Sequence, residues 1–294
     1  MGLPALDPKA KAYDYDGIPC GYYDEVMRRG HPVRRCWHRQ KFERVIAALP
    51  PGEGLSILDI GCAAGTFLSM VPRARFARQL GVDIIAKQVE WATGRYGTKW
   101  RQFRRIDGLE QLATLGERFD CITLIEVIEH LDAAQIRELL ARVADLLRPG
   151  GSFLLTTPNY ASAWPILERV LNRVSDVTYD EQHLTRFTYA GFERHLRRIA
   201  PGFDRRMALD LKTTSHFMSP FLGLFSERLA MGAARLRNPG RWRFPFGNLI
   251  LARFRSRDDL PSTALTRPHL RVVGRWPARR GRQADPGAAP SAER

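Results

Sequence analysis

Two periodicities alternate through the middle of this chain. Ser56–Ile60, Leu80–Ile84, Phe119–Ile125 and Ser152–Thr157 are short apolar runs bounded by glycine, proline or charge, and they read as strands buried on both faces. Trp100–Arg104 is a further candidate strand. Between these runs the spacing changes to that of helices. Thr66–Val71 begins a helix that stops at Pro72, Lys87–Arg95 forms another, and Asp132 caps a third that reaches about Leu147. Ile136, Leu139, Leu140, Val143 and Leu147 share one face of that third helix, and Pro149-Gly150-Gly151 turns the chain into the next strand. Upstream, Val33, Trp37, Phe42, Val45, Ile46 and Leu49 make an approximate helical stripe ended by Pro50-Pro51-Gly52. Strands alternating with helices predict a parallel sheet with helices on both faces.

After Thr157 the rhythm is interrupted. An insertion over 158–187 carries a helical piece near Trp164–Val174, followed by a helix at Thr188–Ile199 and a strand near Arg205–Lys212. A second insertion, 213–246, precedes a last strand at Asn248–Phe254. The expected organisation is an irregular leader over 1–32 that covers part of a pocket, one domain over 33–255, and a disordered basic tail over 256–294 rich in Pro, Arg, Ala and Gly.

Composition changes this picture little. In 294 residues, 44% are hydrophobic and 26% charged, which is ordinary for a globular protein. The first residues lack a signal-peptide core and no apolar run is long enough to span a bilayer, so a cytoplasmic location is expected. The four cysteines have neither metal-site nor disulfide-framework spacing. A formal net charge of +15 is compatible with nucleic acid, anionic lipid or a phosphorylated substrate, and selects none of them.

The candidate chemistry begins at Asp59-Ile60-Gly61-Cys62-Ala63-Ala64-Gly65, directly after the first core strand. Ligands of open α/β sheets bind beyond the carboxyl ends of the strands. Small residues at Gly61, Ala63 and Gly65 let a ligand approach the backbone there. Asp59 can orient the loop or face a cationic amino-acid group, and Asp83, closing the second strand, can accept both hydroxyls of a ribose. A dinucleotide fingerprint needs glycine where Ala63 and Thr66 stand. An acidic strand end also suits an ammonium and a sulfonium better than a pyrophosphate.

Leu58-Asp59-Ile60-Gly61-Cys62-Ala63-Ala64-Gly65, Gly81-Val82-Asp83, Phe119-Asp120-Cys121-Ile122 and Leu147-Arg148-Pro149-Gly150-Gly151 together resemble the successive motifs of class I S-adenosylmethionine-dependent methyltransferases. That resemblance implies an α/β, Rossmann-like, seven-stranded and mostly parallel sheet with its last strand antiparallel, and S-adenosyl-L-methionine as cofactor. It further implies that Asp59, Gly61, Ala63 and Gly65 lie by the methionine part and Asp83 with Ile84 by the ribose. Asp107 and Gly108 would lie by the adenine, and Glu126 near the methyl group. Ala63 departs from the family's usual glycine.

Methyl transfer to a hydroxyl needs alignment and a base. Glu126, Glu129 and His130 follow the fourth strand, and His183 lies farther along, giving Glu126, His130 and His183 as candidate catalytic residues. The same run is similar to the small-RNA 3′-terminal 2′-O-methyltransferases of the Hen1 family, and that resemblance would make Glu126, Glu129, His130 and His183 metal ligands. His183-Leu184-Thr185-Arg186-Phe187 departs from that family's Phe-Glu-Trp-Thr-Arg. The leading expectation is O-methylation of a small or lipid-linked acceptor, a sugar or quinone-like metabolite, without metal. RNA methylation and a non-catalytic adenosyl-binding module are the alternatives. In the second insertion Phe217, Met218, Phe221, Leu222, Phe225, Leu229 and Met231 give a helical apolar face with Arg228 and Arg235 beside it. This predicts peripheral contact with the inner membrane face through 217–236.

Overall fold

The computed structural model describes residues 19–162, 183–215, 219–235 and 247–257. Seven strands, β1 (Leu55–Ile60), β2 (Phe76–Asp83), β3 (Arg101–Arg105), β4 (Phe119–Ile125), β5 (Leu147–Pro158), β6 (Met207–Thr214) and β7 (Leu249–Ser256), form one sheet in the order β3-β2-β1-β4-β5-β7-β6. β1 pairs in parallel with β2 and β4, whereas β7 runs antiparallel to both β5 and β6. The order reverses between β1 and β4, so their carboxyl ends part to leave the crevice where α/β sheets take ligands.

The strand sequences alternate because the pleat sends neighbours to opposite faces. Leu58 and Ile60 join Ile122, Leu124 and Phe153 on one face, where helix α5 (Ala133–Leu146) lays down Ile136, Leu139, Leu140 and Val143. Ile57 packs on the other face with Cys121, Leu154 and Leu251, under Phe42 and Val45 of helix α2 (Pro32–Ala48). The α5 start is fixed by a capping box. Asp132 accepts from the amides of Ala134 and Gln135, while the Gln135 side chain accepts from the Asp132 amide. The described cysteines are all free, three of them buried.

Several expected boundaries move for local reasons. The leader contains a helix, α1 (Tyr22–Arg29), which packs on α2, so residues 22–29 are not irregular. Helix α3 (Thr66–Met70) and helix α4 (Ala86–Tyr96) stand where expected. Pro149-Gly150-Gly151 does not separate helix from strand. Leu147 already pairs with Phe119, and the exposed residues 148–150 bulge out before Ser152 pairs with Cys121. Gly150 at φ 68° supplies the left-handed step of that bulge. Helix α6 (Phe192–Ile199) starts after Thr188, whose hydroxyl accepts from the Gly191 amide in a turn that occupies the positions expected to be helical. A four-residue helix, α7 (Phe203–Arg206), takes the start of the strand expected near Arg205, and β6 begins at Met207. Trp164–Val174 and the tail from 258 lie outside the described residues, whereas Ser256 and Arg257 close β7 and its following bend.

The second insertion is not one helix. A 3-10 segment at Ser219–Leu224 and helix α8 (Glu227–Ala234) meet at Ser226, whose side chain caps α8 by accepting from Leu229. Together they bind α2: Arg39 pairs with Glu227 at 2.8 Å, Gln40 donates to the Ala230 carbonyl and Arg44 to the Ala234 carbonyl, while Arg44 also reaches the Thr214 carbonyl of β6. Helix α2 is therefore covered on its apolar side by the sheet and on part of its polar side by this unit.

Candidate donor and acceptor site

The loop after β1 is built from left-handed backbone. Gly61, Ala63 and Gly65 have φ of 74°, 45° and 73°. A Cβ on Gly61 would stand 2.4 Å from Val127, and one on Gly65 would stand 2.6 Å from the Phe103 ring, so neither glycine has room for a side chain. Ala63 pays a conformational cost that glycine would not. Asp83 offsets it: one carboxylate oxygen accepts the Ala63 amide at 2.8 Å and the other the Ile85 amide at 3.0 Å. Beyond these two amides the carboxylate keeps acceptor capacity for a ribose hydroxyl. Burial raises the Asp83 carboxyl above its ordinary value, and the amides of Ile85, Ala63 and Ile84 oppose that rise. Beside it Ile84 leaves 49% of its surface open, an apolar patch at the strand end.

The parallel register sets Asp59 opposite Thr123 of β4, and the Thr123 hydroxyl donates to it at 2.6 Å. Asp59 is otherwise enclosed. Burial first, and then the neighbouring Asp83 charge, push its carboxyl up to about 7 against the Thr123 hydrogen bond. A buried carboxylate so poorly compensated fits a ligand that brings its own positive charge. Asp107 is exposed: it pairs with Arg105 at 2.8 Å and exchanges hydrogen bonds with Gln111. Gly108 is extended, and a Cβ there would meet the Glu110 carboxylate.

The acceptor candidates sit at the carboxyl end of β4. Glu126 has φ 53°, held by its amide donating to both the carbonyl and the hydroxyl of Thr156 on β5. A short 3-10 turn, Ile128–His130, then presents Glu129 and His130. The His130 and His183 rings lie 5.0 Å apart, and the Tyr160 hydroxyl meets His183 Nδ1 at 2.5 Å. One ligand atom each from Glu129, His130 and His183 falls within 4.8 Å of the others, so these three could hold a metal ion. Glu129 is buried, and among the described residues neither of its carboxylate oxygens has a hydrogen-bond partner. Burial and the Glu126 charge push its carboxyl well above the ordinary range, which favours the protonated form.

Glu126 stands apart from that trio because Lys41 of α2 forms an ion pair with it. Lys41 also lies over the rings of Tyr23, at 4.6 Å, and Phe42, at 5.1 Å. Sequence reasoning missed Lys41, Tyr23 and Tyr160. Lys41 sits beside Phe42 in what reads as an amphipathic helix with a solvated polar face, and only the tertiary contacts with Tyr23 of α1 and with Glu126 take it out of solvent.

A Rossmann-like sheet in this strand order, with a left-handed loop and an acidic β2 end, defines the class I methyltransferases. A family model described as a methyltransferase domain matches residues 34–200, and the chain belongs to that family. Its methyl donor is S-adenosylmethionine, and the loop, Asp83 and Asp59 fit that ligand. A ubiquinone biosynthesis O-methyltransferase of Rhizobium rhizogenes is 32% identical over 213 residues, 69% of this chain and 80% of that protein. One from Chelativorans sp. is 36% identical over 139 residues, 45% of this chain and 53% of that protein; over matches of this kind the chain spans about half of its relatives' length. The methyltransferase domain of the bacterial Hen1 protein CtHen1-C shares the fold at a TM-score of 0.51 and 17% identity, over 74% of this chain and 97% of that one.

Proposed function

We propose that this enzyme transfers the methyl group of S-adenosylmethionine to a hydroxyl of a small or lipid-linked metabolite, quinone-like or sugar. The observation that carries this reading is the 32% identity with a ubiquinone biosynthesis O-methyltransferase over 69% of this chain. It is supported by the imidazoles of His130 and His183, whose rings lie 5.0 Å apart beyond the carboxyl end of β4. The donor supplies an electrophilic methyl on a sulfonium. The acceptor oxygen forms the new C–O bond as the C–S bond breaks, and the acceptor proton passes to His130 or His183 and on to solvent. Asp59, Gly61, Ala63, Gly65, Asp83 and Ile84 hold the donor, and Asp107 and Gly108 border its base. Purified enzyme supplied with methyl-labelled donor and a metabolite extract is expected to label a small organic-soluble product. Label appearing in RNA alone, or nowhere, would refute the reading.

The trio of Glu129, His130 and His183 favours one second reading, a metal-assisted transfer in which the ion lowers the acceptor hydroxyl's pKa. Full activity after exhaustive chelation would eliminate it.

The acceptor's lipid character bears on the surface of the 219–235 unit. Phe225 is 84% exposed, with Leu224 at 57% and Leu229 at 61%, and Arg228 lies exposed between them. Met231, expected on the same outer face, packs inward, and Phe221 and Leu222 are half-buried. Phe217 and Met218 lie outside the described residues. An apolar knob with an adjoining arginine suits an anionic bilayer interface. Replacing Phe225 and Leu229 by Ser is expected to cut partitioning onto anionic vesicles at least tenfold with donor binding intact; unchanged partitioning would reject the contact.

A further inference from the structure

Lys41 is an unusual group to find inside a methyltransferase site. Its side chain is 2% exposed, yet it makes one hydrogen bond among the described residues, to Glu126, whose side chain is 21% exposed. An ammonium carries three donors. Its other described neighbours are two aromatic rings and, at longer range, the Glu129 carboxyl. Tyr23 and Phe42, whose ring centroids lie 5.7 Å apart, form a sleeve under the ammonium; Phe42 in turn meets Phe67 of α3, the helix that follows the donor loop. His38 packs on Tyr23 at 5.0 Å, and burial holds it well below its usual value, so it adds no cation. The sleeve therefore joins the donor loop to the acceptor face, with one ammonium between them.

We propose that Lys41 is the acceptor-recognising cation of the site: it receives the ionised oxygen of a phenol-type acceptor that enters where Glu126 reaches solvent and lays its ring against Tyr23, the half-buried member of the sleeve. This rests on the hydroxyl-methylating reading above. Glu126 is the ammonium's resting partner. A cationic donor beside Glu126 competes for that carboxylate, and an acceptor that presents an anionic oxygen restores a partner to Lys41. The acceptor loses its proton to the base before transfer. The phenolate oxygen then forms a bond to the methyl carbon, the C–S bond breaks with its electrons staying on sulfur, and the neutral thioether leaves. The product ether carries no charge, so it has no further hold on Lys41, which returns to Glu126.

The test uses 4-nitrophenol, a phenol that does not chelate metals and whose phenolate absorbs in the visible. The enzyme is saturated with sinefungin, an uncleavable donor analogue with a cationic group in place of the sulfonium, in the presence of a chelator and at a pH where the free probe is mostly protonated. Wild type is expected to bind the probe as phenolate. Lys41→Met should weaken binding at least tenfold and abolish the phenolate band, with Lys41→Arg recovering part of both. Glu126→Gln should act in the opposite direction, tightening probe binding severalfold, because it removes the competing carboxylate. A residue that merely held Glu126 in place would give losses in both variants. Equal losses in Lys41→Met and Glu126→Gln, or a phenolate band that survives Lys41→Met, would overturn the proposal and leave the methyltransfer reading standing. No probe binding by a wild type that binds sinefungin normally would overturn the phenol-type acceptor together with the role of Lys41. Calorimetric sinefungin affinity and circular dichroism, measured for each variant, separate these outcomes from misfolding.

Discussion

Asp83→Ala is expected to weaken binding of S-adenosylhomocysteine by a hundredfold or more. The carboxylate holds two backbone amides, at 2.8 and 3.0 Å, and through the first it fixes Ala63 in a left-handed conformation. Charge-assisted hydrogen bonds contribute roughly 1.5–3 kcal/mol each, so losing the ligand's share alone reaches about 3 kcal/mol, near a hundredfold in affinity. Asp83→Asn should do little better, because its amide nitrogen would face an amide donor. Both variants should also melt several degrees lower, since they orphan amides beside a buried strand end. Calorimetry and thermal denaturation check both effects. An Asn variant of near-normal affinity would mean that the carboxylate is not the group that shapes this loop.

Asp59 gives the second large effect, with opposite signs for stability and binding. Its folded value of about 7 lies above the ordinary 3.8. The folded state thus holds a proton that the unfolded state gives up between those values, so this group's contribution to stability falls as pH rises through the window and is least favourable above about 7. Asp59→Asn removes that penalty while its carbonyl still accepts from Thr123. At roughly 1.4 kcal/mol per unit, the gain at pH 8 is about 2–4 kcal/mol, and it should vanish near pH 4. Donor affinity should respond the other way. Wild type must ionise Asp59 to receive a cationic amino-acid group, so its affinity should fall about tenfold per unit as pH drops below 7. The Asn variant should bind weakly at every pH. Melting curves and calorimetry at pH 4, 6 and 8 decide this; a stability gain independent of pH would rule out the buried carboxylate as its source.

The stability that Asp59 gives up is consistent with a site arranged around a charged ligand. The conformation of the loop after β1 was legible for a different reason. Gly61, Gly65 and Asp83 are demanded by backbone conformation and by position at strand ends, which are local properties. The acceptor half was less readable because it is assembled across the fold. Glu126 and His130 could be named from their place after β4, and His183 as a possible partner in holding a cation, but whether they work together depends on the fold of the chain between them. Here the outcome was a division: Glu126 pairs with Lys41 of α2, while His130 and His183 gather with Glu129.

Strand and helix periods, the left-handed demand of the loop, and the acidic end of β2 are written in neighbouring residues, because pleat, helical pitch and φ preferences act over a few positions. They determine the sheet and the class of methyl donor. The burial of Lys41, 85 residues from Glu126, was decided only by the tertiary structure. So were the inward turn of Met231 and the outward one of Phe225. These depend on which surfaces exclude water once α1, α2 and α8 pack together, and desolvation is a property of the assembled fold that no local pattern encodes.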